Sequence, residues 1–350
     1  MIAATLIVIM LVVIGSAILA VLTTVAVSSL VQAHRIRREP SVEPARLALV
    51  AALSGDDSRA MELFPGLDRF SRRSIIATML DLAPSVKGTS RLVLVSLGEQ
   101  IGVLEQARRG VHGRRWSVRL YSARVLTAFG VESESLLALF SDRAPEVRTQ
   151  AATWCAATPS SQGIACLVAQ LADRDGQCRF AAQDALIRIG LPVFEALMGA
   201  LDSASAEVAV RILIVAAAVG DERSFGRVEA LVSDPSSEVR ALSAAVLAST
   251  GSPEAGSLLV TLLDDDSDEV VLAAAAGLAR LCYWPAAASV ERVLSHTSWE
   301  LRRQAIVTLS ALGAPGLILL RAQASDRGPA ADMASQALQQ QTLSAKEKAA

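Results

Sequence analysis

Nucleophilic or metal chemistry in this chain would have to be assembled from three histidines, His34, His112 and His296, and four cysteines, Cys155, Cys166, Cys178 and Cys282. Their spacing assembles neither. The histidines lie too far apart in sequence to form one clustered site, and no cysteine pair has CxxC spacing, so zinc and redox motifs are missing. No HExxH places two ligands on one helix turn, and no GxxxxGK offers a phosphate cradle. A serine or cysteine nucleophile needs a base within hydrogen-bond reach, and none stands nearby in sequence. The cysteines fall within helical patterns and read as small buried hydrophobes. The expectation is a protein that is not an enzyme and carries no cofactor.

The other residues capable of chemistry are charged, and they recur. With Val239 as the reference slot, equivalent branched or apolar residues stand at Val118, Val147, Cys178, Val208, Val270 and Leu301, spaced 29, 31, 30, 31, 31 and 31 residues apart in chain order. One residue after the slot stand Arg119, Arg148, Arg179, Arg240 and Arg302, with Ala209 and Val271 as exceptions. Five residues before it stand Asp142, Asp173, Asp234 and Asp265. An arginine fork and a carboxylate at fixed offsets predict charge-assisted hydrogen bonds between adjacent repeats. Asp142, Arg148, Asp173, Arg179, Asp234 and Arg240 are therefore expected to form a structural ladder.

The elements that must hold this ladder are helices. A glutamate one residue before the slot (Glu146, Glu207, Glu238, Glu269, Glu300) suits the partly positive start of a helix. Pro145 suits a first helical turn, and Thr297 with Glu300 has capping-box spacing. Offsets +4 and +8 fall on the slot's face at 100° per residue. They are occupied by Ser122, Ala151, Ala182, Ile212, Ser243, Ala274 and Ala305, and by Leu126, Cys155, Leu186, Ala216, Leu247, Leu278 and Leu309. Twelve residues after the slot a glycine closes most copies, at Gly130, Gly190, Gly220, Gly251 and Gly313, with Pro159 and Cys282 in the other two. A steady period of this length, carried by helical pairs, indicates a solenoid.

The DxxxEVRxxAAxxLxxxG pattern resembles HEAT repeats, in particular the short bacterial type also found in phycobilisome lyase subunits. The resemblance covers about residues 114–342, and the segment GRRWSVRLYSARVLTAFG behind an apolar N-terminus is also similar to membrane-anchored bacterial HEAT-repeat proteins. It implies an all-α chain whose second helices line the concave side of a right-handed superhelix. Offsets +2, +6 and +9 would then face the groove, where Leu120, Phe180, Val210, Ile214, Leu272 and Val307 are relieved by Arg124, Asp184 and Arg303. Two occupancies are open: an apolar helix or peptide of a protein partner, or neighbouring inner helices that bury one another. Di-iron hydroxylases built from HEAT repeats need His-Glu pairs, and this chain has no His-Glu dipeptide.

Ile2 to Gln32 carry no charged side chain. At about 1.5 Å per residue such a helix exceeds a hydrocarbon core of roughly 30 Å. Arg35, Arg37 and Arg38 follow it and nothing basic precedes it, so the positive-inside rule predicts an inner-membrane anchor with its N-terminus out and the solenoid in the cytoplasm. Ser16, Ala20, Thr24 and Ser28 share one face of that helix and offer a homo-oligomer contact through the span. The expected divisions are 1–33 as anchor, 34–113 as juxtamembrane linker and irregular helical cap, 114–342 as solenoid and 343–350 as a disordered tail. A helix is expected over 42–53 and further apolar-periodic helices near 69–82, 90–98 and 99–108.

Residues 33–124 hold 16 basic against nine acidic side chains, in a chain of net charge −2. The remainder is thus at −9, which disfavours phosphate binding and nucleic acid. Arg108, Arg109, Arg114 and Arg115 concentrate the positive charge beside Trp116. That cluster could contact anionic lipid or an acidic partner, or form a solvated turn whose arginines pair with nearby carboxylates. The function expected is a membrane-tethered cytoplasmic scaffold binding a protein of unknown identity. The alternative is an accessory or lyase-type subunit acting on a cofactor-bearing or envelope-biosynthesis protein.

Overall fold

The repeating slots become helices for local reasons. In a computed structural model of the chain, which describes residue 50 and residues 69–349 apart from 84, 86, 87, 132, 133 and 327–329, every described element is helical. The chain divides into Met1–Glu132 and Ser133–Ala350, and the division falls inside the stretch expected as one array. The predicted span (1–33), the helix expected over 42–53 apart from residue 50, and Arg35, Arg37 and Arg38 lie outside the described residues.

The first part contains α1 (Arg69–Leu82), α2 (Thr89–Gln100), α3 (Val103–Gly110) and α4 (Trp116–Phe129). Met79, Leu94, Leu97, Leu104, Leu126 and Phe129 form its core. The three cap helices expected from periodicity are present, with their ends moved by up to four residues.

In the second part, a 3-10 segment (Glu134–Ser141) leads into α5 (Pro145–Ala157), followed by α6 (Ser161–Gln170), α7 (Gly176–Ile189), α8 (Phe194–Leu201) and α9 (Ala206–Val219). Then come α10 (Phe225–Val228), α11 (Ser237–Thr250), α12 (Pro253–Thr261), α13 (Asp268–Leu281), α14 (Ala287–Val293) and α15 (Trp299–Ala311). Two closing helices, α16 (Ala314–Ser325) and α17 (Ala331–Ala349), end the chain. The tail expected at 343–350 is thus helical through Ala349.

Helices α5, α7, α9, α11, α13 and α15 are the second members of successive pairs, and they form the more closely packed layer. This is the layer expected on the inner side of the array. All seven residues at +4 and all seven at +8 are buried, so small residues at +4 let neighbouring backbones approach and the +8 apolars seal the core. The reference slot is less uniform: Val118 is 43% exposed and Val208 half-buried, against the core role expected of both.

Helix starts follow the acid rule with one shift. Pro145 occupies the first turn of α5, whereas the N-cap of α15 is Ser298, with no side-chain cap bond, so Thr297 and Glu300 do not form the expected capping box. At the closing position, Gly130, Gly220 and Gly251 are left-handed, and so is Cys282 at φ 49°. Gly190 and Gly313 combine φ of 76° and 73° with ψ of −139° and −144°, a region open essentially to glycine alone.

Candidate functional site

The arginine at +1 performs a task that spacing alone does not reveal. Its Nη1 donates to the main-chain carbonyl five residues before the slot in its own repeat: Arg119 to Gly113, Arg148 to Asp142, Arg179 to Asp173, Arg240 to Asp234 and Arg302 to His296, at 2.7–2.9 Å. The residue at −5 folds the same turn with its side chain. Asp142, Asp173, Asp234 and Asp265 each accept from the backbone N–H two residues on, at 2.8–2.9 Å. His296 takes the same place, its Nδ1 accepting from Ser298 N at 3.1 Å. A histidine that looks anomalous in sequence is therefore a turn residue.

Within the second part of the chain, two junctions carry a rung between adjacent repeats. Arg148 Nε and Nη2 reach the carboxylate of Asp173 at 2.7 and 2.8 Å, and Arg240 reaches that of Asp265 at 2.8 and 2.8 Å. Both are planar forks on a carboxylate. Burial would raise Asp173, but the Arg148 hydrogen bond, the Asp175 N–H and nearby positive charge outweigh it and hold the group below its ordinary range. Asp265 is lowered mainly by its bond from Arg240, against some desolvation.

Three other junctions in the second part lack one or both members of the pair. Arg179 meets Ser203 at the place where the next repeat would need an acid. Asp234 follows a repeat with Ala209 in place of arginine, and Val271 precedes His296. In the second part of the chain the ladder thus corrects to a turn-stapling system in which Arg148–Asp173 and Arg240–Asp265 join adjacent repeats.

On the inner face, Phe180 (α7) is 70% exposed, Ile214 (α9) 39% and Val307 (α15) 46%. Asp184 and Arg303 are also exposed; Asp184 lies 3.8 Å from Arg188, and the Arg303 guanidinium sits 5.8 Å from the Trp299 ring centroid. Val210 and Leu272 are half-buried, while Ala241 and Ala248 of α11 are buried. Around α11 the second helices cover one another, as the second of the two expected readings has it, while apolar side chains remain exposed at Phe180, Ile214 and Val307. Ile187, at +9 of α7, is exposed and extends the Phe180 patch. Leu120, half-buried, and Arg124, exposed, lie on α4 in the first part of the chain.

The basic turn divides. Arg108 forks onto Glu99 at 2.6 and 3.1 Å, and Arg109 bonds Glu105 at 2.9 Å. Arg114 and Arg115 are exposed beside Trp116. Two of the four candidate arginines are thus engaged with carboxylates.

Among the described residues no group of three or more His, Cys, Asp or Glu side chains could hold a metal ion, and no described helix is long and apolar enough to cross a membrane. Burial raises the Cys155 thiol to about 11. Cys155 and Cys178 are buried as expected of small hydrophobes, Cys166 is partly so, and Cys282 is exposed, against that expectation.

Residues 194–279 match the family model for HEAT repeats. That segment runs from α8 into α13. No curated protein matches the chain. Among solved structures, importin beta in an ammonium sulfate condition is 14% identical over 89% of this chain and 48% of its own, with a TM-score of 0.49. The complex of CpcE and CpcF of phycocyanin lyase from Nostoc sp. PCC7120 is 19% identical over 68% and 94%, at 0.34. A designed armadillo repeat protein is 20% identical over 60% and 100%, at 0.32.

Proposed function

We propose that the chain is a non-enzymatic scaffold, anchored by residues 1–33 in the inner membrane, whose helical array lies in the cytoplasm and receives a protein partner on its inner face. The observation that carries this reading is the open apolar surface at Phe180, Ile214 and Val307, on helices whose remaining apolar positions are largely buried. Water-exposed aromatic and branched side chains on a concave layer are what an apolar helix or peptide would cover. The uncharged run from Ile2 to Gln32, followed by Arg35, Arg37 and Arg38, supports the anchor and its orientation. Right-handed winding is part of the same reading, and the shared small-residue face of the span supports self-association there. Arg114 and Arg115 supply the charge for a contact with anionic lipid.

The test is site-specific photocrosslinking in membranes from position 180, followed by mass spectrometry, repeated in chains carrying Ile214→Arg or Val307→Arg. One partner captured in proportion to the chain, and lost with either arginine, is the expected result. Capture unaffected by both substitutions would remove the inner face as the binding surface.

A further inference from the structure

One junction differs from the others in the second part of the chain. Where α5 meets α7, and again where α11 meets α13, a rung and close contact of the second helices act together. The α9–α11 and α13–α15 junctions lack a rung but retain close helix contact. Between α7 and α9 both are missing: Arg179 meets Ser203 in place of an acid, and the two helices touch sparingly.

Sequence explains the loosening. Eight residues before the reference slot, the first helices place Leu139, Leu231, Leu262 and Val293, but the repeats on either side of this junction have Gln170 and Ala200. Gln170 is 5% exposed, and both its Nε2 and Oε1 lack a partner. A buried amide left unpaired is costly, and it stands where the other repeats place a larger apolar side chain. Ala200 is too short to fill its place. A cleft of about 510 Å³ opens there, walled by Ala165, Ala169 and Ala172 on one side and Ala196, Ala200 and Ser203 on the other. The side-chain hydrogen bond that crosses the junction runs from Arg211 Nη1 to the Leu171 carbonyl, at 3.1 Å.

We propose that the α7–α9 junction is a hinge, about which the helices from α5 to α7 and those from α8 onward change their angle. The missing rung, the sparse inner contact and the outer cleft all fall on this boundary. Phe180 lies on one side and Ile214 on the other, so the motion alters the separation of two apolar residues on the inner face. The hinge does not depend on a partner occupying that face, and its failure would leave the partner reading standing.

The test uses the full chain with Cys166→Ser and Cys282→Ser, spin-labelled through cysteines at the exposed positions 153 and 218, or 218 and 276. Each pair spans two junctions, but only the first includes α7–α9. Double electron–electron resonance is expected to give a distance distribution at least twofold broader for 153–218. Ser203→Asp, which offers Arg179 an acid, or Ala200→Leu, which fills the cleft, should reduce that width to the 218–276 value. Arg179→Ala should cancel the effect of Ser203→Asp but not that of Ala200→Leu. Equal widths in the unmodified array, or a broad 153–218 distribution that survives both substitutions, would overturn the hinge.

Discussion

Replacing Arg148 with methionine keeps a long apolar stem and removes a guanidinium that is itself only 5% exposed. The Asp173 carboxylate loses both fork bonds and keeps its Asp175 N–H, and the carbonyls of Asp142 and Arg143 lose their donor. Removing one member of a buried ion pair costs about 3–5 kcal/mol. Because Asp173 retains a backbone donor and some contact with water, the lower end applies, about 3 kcal/mol. For a domain of this size that corresponds to roughly 6–12 °C in Tm. Asp173→Asn keeps an acceptor for the turn and removes the charge, so the double variant should be less damaged than the sum, with a coupling of about 2 kcal/mol. Urea melts of the four chains measure the cycle. Hydrogen exchange places the damage, which should concentrate in α5 and α7 because repeats contact only their neighbours. A loss below about 1 kcal/mol, the range of exposed pairs, or strict additivity would refute the claim that the rung is a buried, cooperative contact.

Leu247→Ala empties a fully buried +8 position and should cost about 2–5 kcal/mol in the same melts. Asp173 and Asp265 have folded pKa values below their unfolded ones, so their contribution is present above the ordinary aspartate value near 3.9 and is lost as pH falls through the folded values. The urea midpoint should hold between about pH 7 and 5 and decline below about 4, and Asp265→Asn should flatten that decline. Cys282→Gly replaces a side chain held at positive φ and should stabilise by about 1 kcal/mol, read by differential scanning fluorimetry. With iodoacetamide at pH 8, peptide mapping of the native chain should find Cys282 alkylated and Cys155 intact, since burial keeps the Cys155 thiol protonated.

The period, the helix ends and the packed stripe were legible because each depends on residues within one turn or one repeat. Small residues at +4 and apolars at +8 could have only one environment in a stacked array. The ladder was half legible. Arginine and aspartate recur at fixed offsets, but a rung needs both in consecutive repeats, and reading Ser203 opposite Arg179 or Ala209 before Asp234 would have located the gaps. The stapling of each turn was not legible, because it uses main-chain carbonyls that have no residue type. Nor was the burial of Ala241 and Ala248, which depends on how near α9 and α13 come to α11. Val208 departs from its core role for a related reason: it borders the cleft left by Ala200. Of the inner-face residues, the direction of Phe180 and Ile214 followed from helical phase, whereas their exposure depended on the spacing of neighbours.

Asp234 has a consequence for construction. Its repeat holds both halves of a rung, Asp234 at its leading edge and Arg240 behind, yet Asp234 faces Ala209 and has no arginine to receive. A second copy of residues 235–265, inserted after Asp265, would present each Arg240 to an aspartate in the next copy. The segment is in that sense a self-matching tile, and the array could be lengthened at this seam without designing a new interface.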